Sequence, residues 1–175
     1  MSTMQATAER RGTASRTQPP RDGLGFGGDE GFLTLNVAGQ LCAVPVRSVR
    51  DVLGPQTITR IPLAPPEVAG SLNLRGRIVT AVDLRRRLGL PDRAPGEAGP
   101  MSVVVEQGTE LYALLVDSVG DVVPLAEEGF GQNPPTLDSA WRDMSRGVHR
   151  DVPGEEGRLL VVLDIDRVLA IGGGA

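Results

Sequence analysis

Gly70-Ser-Leu-Asn-Leu-Arg75-Gly76-Arg-Ile-Val-Thr-Ala-Val-Asp83-Leu-Arg-Arg-Arg-Leu88-Gly89-Leu90 carries two structural periods in succession. Ser71 to Leu74 and Arg77 to Val82 are short apolar runs rich in β-branched residues, and Arg75-Gly76 between them supplies the small residue that a tight reversal needs. At Asp83 the period changes. Its carboxylate suits a helix N-cap, and Leu84 and Leu88 lie four apart on one helical face until Gly89 and Pro91 stop the helix. The stretch therefore predicts a hairpin running into a short helix. It also places a fixed guanidinium, Arg75, at a turn between apolar strands. Such a cation is a ready contact point for a carboxylate, and a solvated turn arginine is the plainer reading.

Upstream, Leu33, Leu35 and Val37 alternate with Thr34 and Asn36, and Leu41 to Val46 comes after Ala-Gly-Gln, the pattern of another hairpin. Ser48 to Leu53 has Val49, Val52 and Leu53 at helical spacing and predicts about one helical turn before Gly54-Pro55. Thr57 to Ile61 reads as a further short strand, and the proline cluster from 62 to 66 as an ordered loop. Residues 1–28 are rich in Ser, Thr, Gly, Pro, Arg and Gln without hydrophobic periodicity, which predicts a disordered tail. Residues 172–175 read as a flexible C-terminus, and the run after Pro91 as a linker.

The half of the chain beyond the linker repeats the half before it. Residues 41–53 align without gaps on 111–123, matching Ala43 to Ala113, Val46 to Val116, Val49 to Val119 and Asp51 to Asp121; residues 76–84 align on 157–165, so Asp83 corresponds to Asp164 as a second helix cap. Between the matched parts, Leu137 to Met144 predicts one additional short helix containing Trp141. Two matched sets of short strands with brief helices predict an all-β protein of two small, pseudo-symmetric antiparallel barrels, about 31–90 and about 100–171. A parallel sheet would call for longer crossover helices.

Composition narrows the function. With 175 residues and 40% hydrophobic content the chain can bury a core, and its net charge of -4 offers no general attraction to nucleic acid or anionic membrane. All 18 cations are arginine, and the lone Cys42 between Leu41 and Ala43 reads as a small core residue. The expected setting is cytoplasmic, since no run approaches a membrane span or a signal peptide. One cysteine and one histidine, His149, make no metal cluster and no nucleophilic pair at recognisable spacing. Neither a Walker loop nor a Gly-x-Ser-x-Gly elbow is present, and a Ser71, His149, Asp83 set has no motif behind it. Asp83 and Asp164 are the carboxylate pair a small hydrolase would use, although capping explains both. A small barrel that binds nucleic acid is the other alternative, poorly served by three Phe, one Tyr and one Trp. Arg85-Arg86-Arg87 reads as a solvated helix face. No cofactor is expected.

Several blocks in order resemble the CheW family of chemotaxis coupling proteins: Leu41-Cys-Ala-Val-Pro-Val with Val49-Arg-Asp-Val-Leu, Ile58-Thr-Arg-Ile-Pro, Pro65 to Gly70, Asn73-Leu-Arg-Gly with Val82-Asp-Leu-Arg, Leu115-Val-Asp-Ser-Val, and Val161-Val-Leu-Asp-Ile-Asp. The resemblance covers about residues 31–171. It implies two SH3-like five-stranded barrels packed together and an adaptor without catalysis, joining the cytoplasmic tips of chemoreceptors at membrane-associated arrays to the regulatory domain of the histidine kinase CheA. By the same resemblance, Val49, Asp51, Val52, Asn73, Arg75 and Gly76 form the receptor-contact group, and Gly70 lies in a region that couples kinase and receptor. The family commonly has Glu where this chain has Asp51, which keeps the charge with a shorter reach.

Overall fold

The computed structural model describes residues 31–171, so the expected tail and flexible C-terminus lie outside the described residues. The chain forms β1 (Gly31–Val37), β2 (Gln40–Pro45), a 3-10 turn (Val46–Ser48), β3 (Val49–Leu53), β4 (Val68–Leu74), β5 (Arg77–Asp83) and α1 (Leu84–Arg87). After the linker come β6 (Met101–Gln107), β7 (Glu110–Val116), β8 (Ser118–Pro124), a second 3-10 turn (Glu127–Gly129), β9 (Phe130–Gly131), α2 (Ser139–Met144), β10 (Ser145–His149), β11 (Leu160–Leu163) and α3 (Ile165–Val168). The organising stretch folds as its pattern dictates, with Leu74 opposite Arg77 in the β4–β5 hairpin and Asp83 accepting from the Arg85 amide at 3.0 Å.

The strands sort into two sheets, β8-β1-β2-β11-β10-β9 and β3-β6-β7-β5-β4. This corrects the expected division at the linker, because each sheet takes its middle hairpin from the other half of the chain. The β1–β2 hairpin sits among strands of the second half, and β6–β7 among strands of the first. The exchange also brings in two parallel pairings, β2 with β11 and β5 with β7, where purely antiparallel barrels were expected. No long crossover helix is needed: between β2 and β11 the chain passes through the other sheet, and between β5 and β7 it runs through the short α1, the linker and β6 of the same sheet. Both hairpins are buried on both faces over most of their length, as a central position requires. The six-stranded sheet exceeds five by the two-residue β9.

The repeat survives as structure. Gly70 in β4 and Gly147 in β10 have φ of 150° and 151°, and each sits where its strand's register shifts. Asp83 and Asp164 cap α1 and α3. Apolar residues form three clusters: Phe32, Leu41, Leu160 and Val162 within one sheet, Leu72, Val79, Val104 and Leu115 within the other, and a third between the sheets that includes Leu35, Val37, Val82, Val103, Leu114, Trp141 and Leu163. That third cluster holds the two units together. Removing a leucine side chain from such a site costs about 2–5 kcal/mol.

The segment from Ser48 to Leu53 is not helical. The helical turn is a 3-10 turn one step earlier, and Val49–Leu53 is a strand paired with β6. A register shift between Val49 and Asp51 gives β3 an extra residue, Arg50, and the slipped alternation spaces the valines as a helix would. Thr57 to Ile61 likewise forms no strand, only an isolated bridge between Thr59 and Ser71. α2 begins at Ser139 behind an Asp138 cap, within the expected Leu137 to Met144.

Candidate functional site

Arg75 and Gly76 occupy the two central positions of the β4–β5 turn with φ of 52° and 84°, the pair of positive values that a type I′ turn requires. Asn73 Oδ1 accepts from the Gly76 amide at 2.9 Å, which locks the turn. The β1–β2 turn repeats the device, with Asn36 Oδ1 accepting from Gly39 at 3.0 Å. A non-glycine residue in the left-handed region costs on the order of 1–2 kcal/mol, so the turn holds Arg75 where glycine would sit more comfortably. Its side chain is 84% exposed.

Val49, Asp51 and Val52 lie on β3 rather than on a helical turn. Val49 and Val52 stand opposite Val105 and Val103, whose side chains face the inter-sheet core, whereas Asp51 stands opposite Val104, which faces the interior of its own sheet. The two valines and the aspartate therefore point to opposite faces. β3 and β4 are the outer strands of the five-stranded sheet, yet Arg75 Nη2 lies 3.4 Å from Asp51 Oδ2 and Thr59 bridges Ser71. The ion pair and the Thr59 segment link the two edges, and the sheet closes as a barrel. Asp51 Oδ1 accepts from the Val52 amide at 2.9 Å, so the carboxylate that faces Arg75 is itself anchored.

Gly70 is a backbone requirement. A Cβ there would lie 2.1 Å from the Thr59 carbonyl oxygen and 2.9 Å from Ile58 Cγ2, and Thr59 exchanges two 2.8 Å backbone bonds with Ser71. Any side chain at 70 pushes away the segment that seals the barrel. Gly70 thus acts through the seam that also positions Arg75 and Asp51.

Sequence reasoning missed a second cluster. Asp117, at the end of β7, accepts from the Ala38 amide at 2.7 Å, from Arg85 Nη2 at 2.7 Å and Nε at 3.0 Å, and pairs with Arg93 Nη2 at 2.9 Å. Arg93 also bonds Asp83 Oδ2 at 3.2 Å, and Arg85 pairs with Glu97 at 3.5 Å. Burial alone pushes the Asp117 carboxyl up, but the hydrogen bonds from Arg85 and Ala38 and the charges of Arg93 and Arg85 outweigh it and hold it below the usual range. The Asp117 bond raises the Arg85 guanidinium in turn. Arg87 donates to the Val168, Arg167 and Ala170 carbonyls at 3.0, 2.9 and 3.3 Å, capping α3. Of the three arginines expected on a solvated face, Arg86 alone pairs outward, with Asp92. The sequence did hold a signal, for the internal repeat aligns Arg47 with Asp117, a charge reversal in otherwise matched blocks.

Residues 31–171 match the CheW-like domain family. The chain belongs to that family. It is 32% identical over 142 residues to the chemotaxis protein CheW of Rhizobium meliloti, covering 81% of this chain and 88% of the relative. The chemotaxis protein CheW of Bacillus subtilis is 28% identical over 140 residues, 80% of this chain and 86% of that one. Among solved structures, the scaffolding protein TtCheW from Thermoanaerobacter tengcongensis superposes with a TM-score of 0.70 at 23% identity, covering 83% of this chain and 96% of that chain.

The CheW-like fold gives the catalytic candidates other work. Asp164 Oδ1 accepts from the Asp166 and Arg167 amides, and Asp83 joins a helix cap to an ion pair with Arg93. A cavity of about 330 Å³ beside Asp164 is lined by Gln132, Asn133, Ser145, Arg146 and Arg167 and does not include Asp83. His149 is buried with Nε2 2.8 Å from the Ala126 carbonyl and Nδ1 accepting from the Asp151 amide, in the other sheet from Ser71. Cys42 is a buried core residue whose thiol burial pushes up. Among the described residues no helix is long and apolar enough to cross a membrane.

Proposed function

We propose that this chain is a non-catalytic coupling protein that binds the cytoplasmic tips of methyl-accepting chemoreceptors on one side and the regulatory domain of the histidine kinase CheA on the other. The observation that carries the reading is Arg75, presented to solvent from a locked turn and backed 3.4 Å away by Asp51. A cation fixed in place at little further entropic cost suits reversible recognition of a polar or acidic helix surface. Val52, on the face of β3 opposite Asp51 and 37% exposed, supplies apolar contact beside this pair, and Val49, packed against the inter-sheet core, supports the strand there. Asn73 and Gly76 set the turn, and Gly70 secures the seam beneath it. The family to which the chain belongs and the relatives named for chemotaxis support this assignment, and the helix-capping roles of Asp83 and Asp164 weigh against a hydrolase.

The test is assembly. The chain is mixed with a receptor cytoplasmic fragment and the isolated kinase regulatory domain, and the mixture is sedimented. A ternary species that contains all three supports coupling. Mutually exclusive binding, or binding of neither partner, overturns it. Salt-dependent capture of oligonucleotides in its place would return the protein to the nucleic-acid-binding class.

A further inference from the structure

β3 carries one residue more than the stretch of β6 it pairs with. Its register shifts between Val49 and Asp51, and Arg50 is the residue left without a partner across the ladder. Neighbours on a regular strand point to opposite faces, but Arg50 does not follow that rule. Its guanidinium meets Glu106, which stands two residues beyond Val104 on β6 and so shares that residue's face. Asp51, opposite Val104, takes the same face. The bulge therefore puts the charges of Arg50 and Asp51 on one face.

Four charges of alternating sign result across the edge of the five-stranded sheet: Arg75, Asp51, Arg50 and Glu106. In both pairs the cation is the more exposed member, 84% against 26% for Arg75 and Asp51 and 53% against 36% for Arg50 and Glu106. Each carboxylate holds a guanidinium that still faces solvent. Arg50 is bound through Nε alone, which leaves its two terminal nitrogens, the end of the fork that can grip a carboxylate through two parallel bonds, unengaged. β3 is an outer strand, so no further strand of the sheet covers this row.

We propose that Arg50 is a second cationic contact of the receptor-binding surface, and that the receptor helix presents two acidic groups, one to Arg75 and one to Arg50. The inference rests on the coupling role proposed above and adds a specificity-determining residue to it. A helix with a single acidic group satisfies Arg75 and leaves Arg50 unmatched, so receptors that carry both groups are preferred. Bulges recur where a strand re-aims a side chain beside a functional site, and here the re-aimed side chain is the one that meets the second charge.

The experiment titrates full-length Arg50→Gln, Arg50→Lys and Arg75→Glu proteins against a receptor cytoplasmic fragment at low and at high salt, with circular dichroism as the control for folding. Arg50→Gln is expected to weaken binding roughly tenfold at low salt, and the gap to wild type closes as added salt screens the contact. Arg50→Lys, which keeps the charge, recovers part of the loss. A gap that does not respond to salt, or that Arg50→Lys does not reduce, would make Arg50 a structural residue and overturn the proposal. Unchanged affinity in Arg50→Gln beside a weakened Arg75→Glu overturns it and leaves the coupling role standing. Unchanged affinity in both overturns the two together.

Discussion

Asp51 lies on β3 at one edge of the five-stranded sheet and Arg75 in the turn that follows β4 at the other, and their side chains meet 3.4 Å apart where the barrel closes. The guanidinium is 84% exposed and the carboxylate 26%, so as an ion pair the contact contributes at most about 1 kcal/mol. Its consequence is geometric, since it orients a cation that the turn already holds at the surface.

Replacing Arg75 with glycine separates stability from function. Glycine relieves the left-handed strain at φ 52° and loosens the unfolded chain, two effects of about 1 kcal/mol that oppose one another. The midpoint of urea unfolding is expected to stay within about 1 kcal/mol of wild type, while receptor-fragment affinity falls. Large destabilisation would show that Arg75 supports the barrel.

Gly70→Ala is expected to destabilise strongly. The new Cβ would meet the Thr59 carbonyl at 2.1 Å, and opening the Thr59–Ser71 bridge removes two backbone bonds at about 1 kcal/mol each on top of the strain. A loss of about 3 kcal/mol or more is expected, with faster proteolysis between residues 54 and 67. A stable Gly70→Ala protein that still fails to bind its partners would assign Gly70 a direct contact instead.

The fold was legible where one residue type had one physical use. Asp83, Gly76, the alternation in β1 and the β-branched run of β5 each announced a cap, a turn or a strand. β3 was misread because Arg50, the extra residue of its bulge, moves Val49 and Val52 out of alternation. The exchange of hairpins between sheets left no local trace, since the residues of β1–β2 and β6–β7 do not show which sheet each hairpin enters. The candidate site was legible as residue types around Asn73 and Arg75. That Asp51 meets Arg75 depends on barrel closure, a long-range fact.

Asp117→Asn is expected to cost about 2–4 kcal/mol at neutral pH, because it leaves Arg85 and Arg93 partly buried beside a neutral group. The pH dependence comes from the depressed carboxyl. Its stabilisation is complete above the unfolded value of about 3.9 and is lost as pH falls through the lower folded value. The gap between wild type and variant, read from denaturant midpoints, should therefore be constant near neutrality and narrow below about pH 4. A gap that widens with acid would contradict the sign.

Arg87→Ala and Arg86→Ala form a matched pair. Arg87 loses three bonds to the end of α3, with an expected cost of about 1.5–3 kcal/mol and faster amide exchange over residues 165–171. Arg86, paired outward with Asp92, should be nearly neutral. Equal effects would restore the solvated face that the sequence suggested.

If Arg75 is a receptor contact on a coupling protein, Arg75→Glu should disable one of its two partnerships and spare the other. Charge reversal at an exposed turn should leave the circular dichroism spectrum intact. A charged hydrogen bond is worth about 1.5–3 kcal/mol, so titration of the folded variant against a receptor cytoplasmic fragment should show binding weakened roughly ten- to a hundredfold. Titration against the isolated kinase regulatory domain should change far less. Unchanged receptor affinity, or equal losses for both partners, would contradict the role assigned to Arg75.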